Sequence, residues 1–226
     1  MPLQNRVTPL GELVADPARG LVYGNRGCLH DEDGRIRRHF AVRRWLACRL
    51  EFRGWRRGTL LQPGKFTELF FLDEATALAA GHRPCAECRR ADYRRWQAAW
   101  PHADSGADAM DRVLHADRLD GRSKRTYEAR LGELPDGAIV ERGGAPWLLA
   151  GDTLRPWTPA GYGKPAPAGP RETVSVLTPA VTVAVLAAGY ELPNRAPRPI
   201  TCTSEAIADT RLSRRASTSA GHEGQP

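Results

Sequence analysis

The chain of 226 residues carries a net charge of +7, five cysteines, 22 glycines and 18 prolines, a composition that suits one compact core with long loops. No run reaches the roughly 18 consecutive apolar residues of a membrane-spanning helix, and the first residues lack the apolar segment of a secretory signal, so we expect a cytoplasmic protein without membrane contact. An odd number of cysteines in such a chain argues against a disulfide scaffold and favours metal ligands or free thiols.

The first half of the chain is predicted to combine extended segments with two helices. In order, these elements are extended segments over 1–27, a β-hairpin of strands 39–50 and 51–58, a helix over 74–80 and a helix over 85–100. Asp73 is a typical N-cap for the first helix, and Gly81 is a typical end for it. Pro84 is expected to open the second helix because proline is tolerated in the first helical turn.

The second half is predicted to contain further helices and a three-stranded meander. In order, its elements are a helix over 105–119, a helical piece over 122–133, strands over 138–141, 146–150 and 153–157, a strand over 174–177 and a helix over 179–188. The Gly143-Gly144 pair between the first two strands of the meander is a strong hairpin signal. Residues 195–226 are rich in Pro, Ser, Thr, Arg and Gly without periodicity, which predicts a disordered tail.

A Pro-Cys-x-x-Cys run from Pro84 to Cys88 places two thiols within one turn of chain. Two thiolates at this spacing can share one Zn²⁺, at about 2.3 Å each. A helix N-terminus and nearby cations lower the pKa of such thiols, and the metal completes their deprotonation. Upstream lie a third thiol, Cys48, and a Cys-x-His pair, Cys28 and His30, which are able to complete a tetrahedral set. The sequence therefore predicts zinc as a cofactor.

The zinc region also resembles a known family. The segment Phe-Leu-Asp-Glu-Ala-Thr-Ala-Leu-Ala-Ala-Gly-His-Arg-Pro-Cys-Ala-Glu-Cys-Arg-Arg, residues 71–90, resembles the second half of the N-terminal metal-binding domain of Ada-type DNA alkylation repair proteins. Residues 40–48 resemble the strand that delivers the first cysteine of that family, so the resemblance covers about residues 40–95. In those proteins four cysteines hold zinc, and the first-strand cysteine accepts a methyl group from a DNA phosphotriester. The resemblance implies zinc bound by Cys48, Cys85 and Cys88, with Cys48 as the methyl acceptor.

One position of the family pattern differs in this chain. The family's second cysteine lies four residues after the first, where this chain has Phe52. We therefore expect the fourth zinc ligand to be His30, with Cys28 as the alternative. A site of three cysteines and one histidine binds zinc well. It carries one negative charge less than an all-cysteine site, so its thiolates are expected to be poorer methyl acceptors.

A second motif offers a different function. His30-Asp31-Glu32, taken with the Pro-Cys-x-x-Cys run, matches the signature of zinc deaminases, in which a zinc-bound water attacks the base and a glutamate moves the proton. Under this hypothesis Glu32 is catalytic and the substrate is a nucleobase or nucleoside. The His-x-Glu of a deaminase lies on a helix, whereas residues 29–34 have the composition of a turn. The signature also gives Cys48 no role.

Arginine is concentrated around the predicted zinc ligands. Nine arginines lie between residues 35 and 57 against one acid, Glu51. Because the guanidinium binds phosphate through two parallel hydrogen bonds, we predict DNA or RNA as a partner; an arginine-rich composition without a binding role is the alternative. The side chains expected to contact phosphate are Arg43, Arg44, Arg49, Arg53, Arg56, Arg57, Arg83 and Arg89.

Together these signals predict an α+β fold with a small zinc-containing region of β-hairpin and helix, followed by helices and a C-terminal β-meander. The expected divisions are an Ada-like zinc-binding region with an N-terminal extension over 1–120, a small α+β region over 121–194 and the tail over 195–226.

Overall fold

The computed structural model describes residues 1–54 and 58–193, and within them the protein is a mixed α+β fold made mostly of sheets. The helices are α1 (Glu74–Ala79), α2 (Arg90–Ala98), α3 (Ala107–Arg118), α4 (Ala180–Ala187) and a 3₁₀ helix (Leu131–Glu133). The strands are β1 (Gln4–Val7), β2 (Leu13–Ala15), β3 (Val22–Asn25), β4 (Leu46–Cys48), β5 (Leu69–Phe71), β6 (Arg83–Pro84), β7 (Leu119–Asp120), β8 (Ser123–Lys124), β9 (Tyr127–Arg130), β10 (Ile139–Arg142), β11 (Ala145–Ala150), β12 (Thr153–Thr158), β13 (Gly161–Tyr162), β14 (Ala166–Pro167) and β15 (Thr173–Val176). This coarse fold class is the one that the sequence predicts.

The first sheet has the strand order β2-β1-β5-β3-β4-β6. Its β1–β5 and β4–β6 pairs are parallel and the others are antiparallel. Strand β4 therefore lies between β3 and β6, with Cys48 at its end, opposite Tyr23 of β3. Gly24 of β3 permits this packing, because a Cβ there would lie 2.3 Å from the carbonyl oxygen of Leu46.

The hairpin predicted over 39–58 is not formed by the described residues. Strand β4 is only three residues long and pairs with β3 and β6 instead. The chain before it bends because the amides of Ala41 and Val42 both donate to the carbonyl of Arg26, at 2.9 and 3.1 Å. The chain after it turns at Arg53 and Gly54, whose φ angles are +52° and +72°. Residues 55–57 of the predicted partner strand lie outside the described residues.

The helix predicted to begin at Cys85 begins five residues later, at Arg90. Pro84 belongs to β6 and lies opposite Ala47 of β4, and the amide of Cys85 donates to the carbonyl of Ala47 at 3.0 Å. The sheet thus holds the chain extended as far as Cys85, and the two cysteines occupy the turn that leads into α2.

Helix α1 follows the prediction. The Asp73 side chain accepts a hydrogen bond from the amide of Thr76 at 2.8 Å, and the chain turns after the helix at Gly81, with a φ of +86°. Residues 122–133, by contrast, form β8, β9 and the 3₁₀ helix rather than the predicted helical piece. Strand β9 belongs to the second sheet, where it pairs with β15.

The second sheet has the order β13-β12-β11-β10-β15-β9, with β14 paired to β12. The predicted meander is present as β10, β11 and β12, and Gly143 and Gly144 turn the first hairpin with φ angles of +61° and +75°.

Residues on both sides of the boundary predicted at 120 share one apolar cluster: Leu78, Tyr93, Trp96, Trp100, Met110, Leu114, Val181, Val185, Leu186 and Tyr190. The predicted tail lies outside the described residues. None of the described helices is long and apolar enough to cross a membrane.

Candidate metal centre

Three of the predicted ligands meet at the edge of the first sheet. The sulfur atoms of Cys48, Cys85 and Cys88 all lie within 4.8 Å of one another. The parallel pairing of β4 with β6 brings them together, since Cys48 ends β4 and the other two follow β6 directly. Tetrahedral zinc with bonds of about 2.3 Å places its sulfurs about 3.8 Å apart, a spacing that is compatible with separations of 4.8 Å or less.

Backbone amides point at these sulfurs. The amide of Arg49 donates to Sγ of Cys88 at 3.4 Å. Hydrogen bonds from the thiols of Cys48 and Cys88, with further ones from the amides of Cys88 and Glu87, lower the pKa of Cys85 to about 2. The hydrogen bond with Cys85 raises the pKa of Cys48. These hydrogen bonds favour the thiolate form of Cys85, and a divalent cation would offset the cost of ionising the other two thiols.

An apolar shell surrounds the sulfurs. Tyr23 packs against Cys48 and Cys85, and Leu46, Leu50 and Phe70 adjoin this small cluster. The rings of Tyr23 and Phe70 meet edge to face, with centroids 6.0 Å apart. A shell of this kind limits water at a metal site and supports a set of soft sulfur ligands.

His30 and Cys28 are not part of the group. Both ring nitrogens of His30 are engaged elsewhere, Nδ1 with Oγ1 of Thr67 at 2.6 Å and Nε2 with the carbonyl of Gln62 at 3.1 Å. The thiol of Cys28 donates to the carbonyl of His30 at 3.6 Å. The segment is fixed there because Thr67 also accepts from the amide of Leu29 at 2.7 Å. Within the described residues the ligand group thus consists of three cysteines, without the predicted fourth ligand.

Glu32 lies in an exposed turn, as the composition of residues 29–34 indicates. The Asp31 side chain accepts from the amides of Asp33 and Arg35 at 3.0 and 2.9 Å, and Gly34 has a φ of +76°. The deaminase arrangement requires His30 beside Cys85 and Cys88, with Glu32 facing the metal. The structure joins these two cysteines with Cys48 instead.

A cavity of about 810 Å³ adjoins the cysteine group, and Cys48 is the one member of the group that lines it. In its wall, Arg89 donates to Glu74 at 2.6 Å and to Asp92 at 2.8 Å, and Tyr190 donates to the second oxygen of Glu74 at 2.7 Å. Sequence reasoning missed this network. The acidic start of α1 is visible in the sequence, but nothing local links it to a tyrosine 116 residues away.

Two arginines predicted to contact phosphate are buried in ion pairs. Arg83 donates to both carboxylate oxygens of Asp111, at 2.8 and 2.7 Å, and its side chain is 2% exposed. Arg89 is held by Glu74 and Asp92 with 6% of its side chain exposed. Neither is available to a phosphate at the surface, so these two predictions are corrected.

The other predicted phosphate contacts within the described residues are exposed: Arg43, Arg44, Arg49 and Arg53. Arg44 lies near two acids of α3, 3.4 Å from Asp108 and 3.8 Å from Asp111. Arg56 and Arg57 lie outside the described residues. An exposed group of arginines therefore flanks Cys48 on both sides along the chain.

Comparison of the chain with protein-family models, with curated proteins and with solved structures gives no match. The resemblance to the Ada-type domain stays a prediction, and the observation on which it now depends is the meeting of the first-strand cysteine with the Cys-x-x-Cys pair.

Proposed function

We propose that this protein binds one zinc ion through Cys48, Cys85 and Cys88 and contacts nucleic acid through the arginines beside that site. The observation that carries the proposal is the convergence of three free thiols, from the end of β4 and the turn after β6, to within 4.8 Å of one another. Zinc takes four ligands, so three cysteines leave one coordination position for a water or another ligand. The ion would fix the end of β4 and the turn before α2.

The nucleic-acid part of the proposal is supported by the position of the arginines. Arg49 follows Cys48 directly, and its amide donates to Cys88, so a metal that orders the sulfurs also orders the backbone of this arginine. Arg43 and Arg44 precede β4, and Arg53 follows it in the turn. Exposed guanidinium groups around one metal-stabilised strand form a surface that suits the phosphates of DNA or RNA.

The zinc site is tested by the metal content of the purified protein. We expect close to one zinc per chain, and we expect Cys85→Ser to lose the metal and to unfold at a lower temperature, because metal binding free energy contributes to folding. Cys28→Ser is the matched control, since this thiol is half-buried but lies outside the group. Atomic absorption and thermal unfolding measure both effects. Undiminished zinc in Cys85→Ser would refute the site.

Nucleic-acid binding is tested by its salt dependence. We expect the affinity for duplex or single-stranded probes to fall steeply between low and physiological salt, with a slope of about 0.9 per phosphate contact on duplex DNA. The double variant Arg43→Glu with Arg53→Glu should bind more weakly and lower the slope by about two contacts. The control Arg130→Glu with Arg171→Glu makes the same change of charge on exposed residues of the second half. Equal weakening in both double variants, or binding that ignores salt, contradicts the proposed surface.

Methyl transfer to Cys48 is the second candidate, because Cys48 is the one cysteine of the group that lines the large cavity. In that reaction the sulfur attacks the methyl carbon of a phosphotriester, and the phosphodiester leaves with the electron pair. A single methyl group on Cys48, found by mass spectrometry after incubation with methylphosphotriester DNA, would make repair the function in place of binding alone. The deaminase hypothesis gains no support from the geometry, since His30 is bonded to Thr67 and Gln62.

A further inference from the structure

A second cavity, of about 290 Å³, lies beside Trp45, just before β4, and is strongly basic. Its wall includes four side chains that carry positive charge and one acid, Glu12. The four cations are Arg26, Arg118, Arg122 and Lys124. Nothing in the zinc proposal uses this cavity.

Two of the cations are buried against the same aromatic ring. The guanidinium carbons of Arg26 and Arg118 lie 4.1 and 3.8 Å from the centroid of the Trp45 ring. Each of these arginines is only 1% exposed. Cation–π contact offsets part of the cost of burying the two charges, but the two like charges repel each other, and an anion near them would relieve that repulsion.

The hydrogen-bond partners of the two arginines are neutral. Arg26 donates to the carbonyl of Gly11 at 2.9 Å and to His82 at 3.2 Å, and Arg118 donates to the carbonyls of Gly81 and Arg43 at 2.9 and 2.6 Å. Among the described residues neither arginine forms an ion pair with a carboxylate. This arrangement is unlike that of Arg83 and Arg89, which are buried with their counter-ions.

Two buried donors of this arginine pair have no partner within the described part of the chain, Nη2 of Arg26 and Nε of Arg118. Nη2 of Arg26 lies at the cavity wall formed by Gly11, where a Cβ would be 3.8 Å from it. A buried N–H without an acceptor destabilises the fold, so an acceptor in the cavity within reach of the Arg26 donor would be favoured.

A third cation, Lys124, adds to the positive electrostatic potential of the cavity. The ammonium group of Lys124 donates to the carbonyl of Ala79, and burial, together with Arg26 and Arg118, lowers the pKa of Lys124 to about 7. Burial lowers the pKa of Arg26 and of Arg118 to about 9. The exposed Arg122 stands at the mouth of the cavity, which leads to solvent.

We propose that this cavity binds a phosphate dianion, free or as the terminal phosphoryl group of a larger molecule, with Arg26, Arg118 and Lys124 around the oxygens and Arg122 at the entrance. A doubly charged oxyanion neutralises more of three clustered cations than a carboxylate does, and arginine suits phosphate geometry. The volume accommodates a phosphoryl group and a small attached residue but no large ligand. The source is either free inorganic phosphate or the phosphorylated end of a nucleic acid strand. The site stands independently of the zinc proposal, because it uses none of the cysteines.

The test titrates the full-length protein, as purified, with three probes at constant ionic strength: inorganic phosphate, an oligonucleotide with a 5′-phosphate and the same oligonucleotide with a 5′-hydroxyl. Calorimetry should show saturable phosphate binding, and Arg122→Glu should weaken it at least about tenfold, which corresponds to about 1.4 kcal/mol. This variant spares the fold because Arg122 is exposed. Arg112→Glu is the control, an exposed residue of α3 outside the cavity wall.

The results of these titrations distinguish free phosphate from a phosphorylated strand end as the ligand. Tighter binding of the 5′-phosphorylated than of the 5′-hydroxyl oligonucleotide, lost in Arg122→Glu, identifies a strand end as the occupant. Saturable binding of inorganic phosphate, with no difference between the oligonucleotides, identifies free phosphate. Absence of phosphate binding, or equal weakening by Arg122→Glu and Arg112→Glu, overturns the site, since general attraction by a basic protein would then explain the data.

Discussion

The arginines of this protein have three different roles, which burial and the presence of a carboxylate partner distinguish. Arg83 is paired with Asp111, and Arg89 with Glu74 and Asp92, so these guanidinium groups hold elements together. Arg26 and Arg118 are buried without a carboxylate partner among the described residues. The exposed group around Cys48 faces solvent. The sequence gives the positions of these arginines but not their roles, because the carboxylate partner of Arg83, a residue of β6, lies 28 residues away on α3.

Gly81 shows how closely one of the buried arginines is fitted. Its φ is +86°, and a Cβ at this position would lie 2.6 Å from Cδ of Arg118. Gly121 has a φ of +61°, but a Cβ added there would meet no atom within 4 Å. Both positions favour glycine for backbone reasons, and only Gly81 also requires the absence of a side chain.

We therefore expect Gly81→Ala to cost more stability than Gly121→Ala. The left-handed backbone costs alanine about 1 kcal/mol or more at either position, and the contact with Arg118 adds to that cost at Gly81 alone. Urea unfolding measures both variants. Phosphate binding gives a second measurement, since displacement of Arg118 should weaken it in Gly81→Ala only. Equal losses of stability would show that Arg118 moves aside freely.

At the scale of elements, the sequence predicts those whose signals are local. The Asp73 cap defines the start of α1, and Gly143-Gly144 defines the first turn of the meander. The prediction of a hairpin around β4 was wrong because alternation of apolar residues cannot show that the carbonyl of Arg26 bends the chain at Ala41. Helix α2 begins later than predicted for a similar reason, because Pro84 belongs to β6 and pairs with β4.

The candidate metal centre could also be predicted from the sequence only in part. The Cys-x-x-Cys spacing and the resemblance of the strand around Cys48 were enough to name the three cysteines that the fold brings together. The fourth ligand could not be deduced, because the position of His30 is set by Thr67 and Gln62, both more than 30 residues along the chain. The basic cavity was not predicted from the sequence, since Arg118, Arg122 and Lys124 are neighbours in the chain but Arg26 and Trp45 join them only in the fold.

At the scale of the whole molecule, the excess of positive charge is partly internal. The net charge of +7 includes arginines at the surface around Cys48 and the cluster of cations around Trp45. Buried like charges destabilise the folded state unless an anion or deprotonation relieves them. The protein should therefore respond to pH and to phosphate through the same group of residues.

The last prediction concerns that pH response. Burial, with repulsion from Arg26 and Arg118, lowers the pKa of Lys124 from 10.5 to about 7 in the folded protein. From pH 7 upward to the unfolded pKa, the unfolded chain holds a proton on Lys124 that the folded chain has released, so the free energy of unfolding rises with pH. Below pH 7 both states hold the proton, and this contribution no longer changes.

Lys124→Met removes the titrating group while keeping a side chain of similar length. In phosphate-free buffer, urea unfolding between about pH 7 and pH 8.5 should show a steeper rise of stability in the wild-type protein than in this variant. Arg26 and Arg118, with pKa values of about 9, contribute little in this interval. Saturating phosphate should favour protonated Lys124 in the folded state and so flatten the wild-type slope toward that of the variant. Parallel slopes without phosphate would show that Lys124 keeps its proton in the folded protein, and the buried cation cluster would then need another explanation.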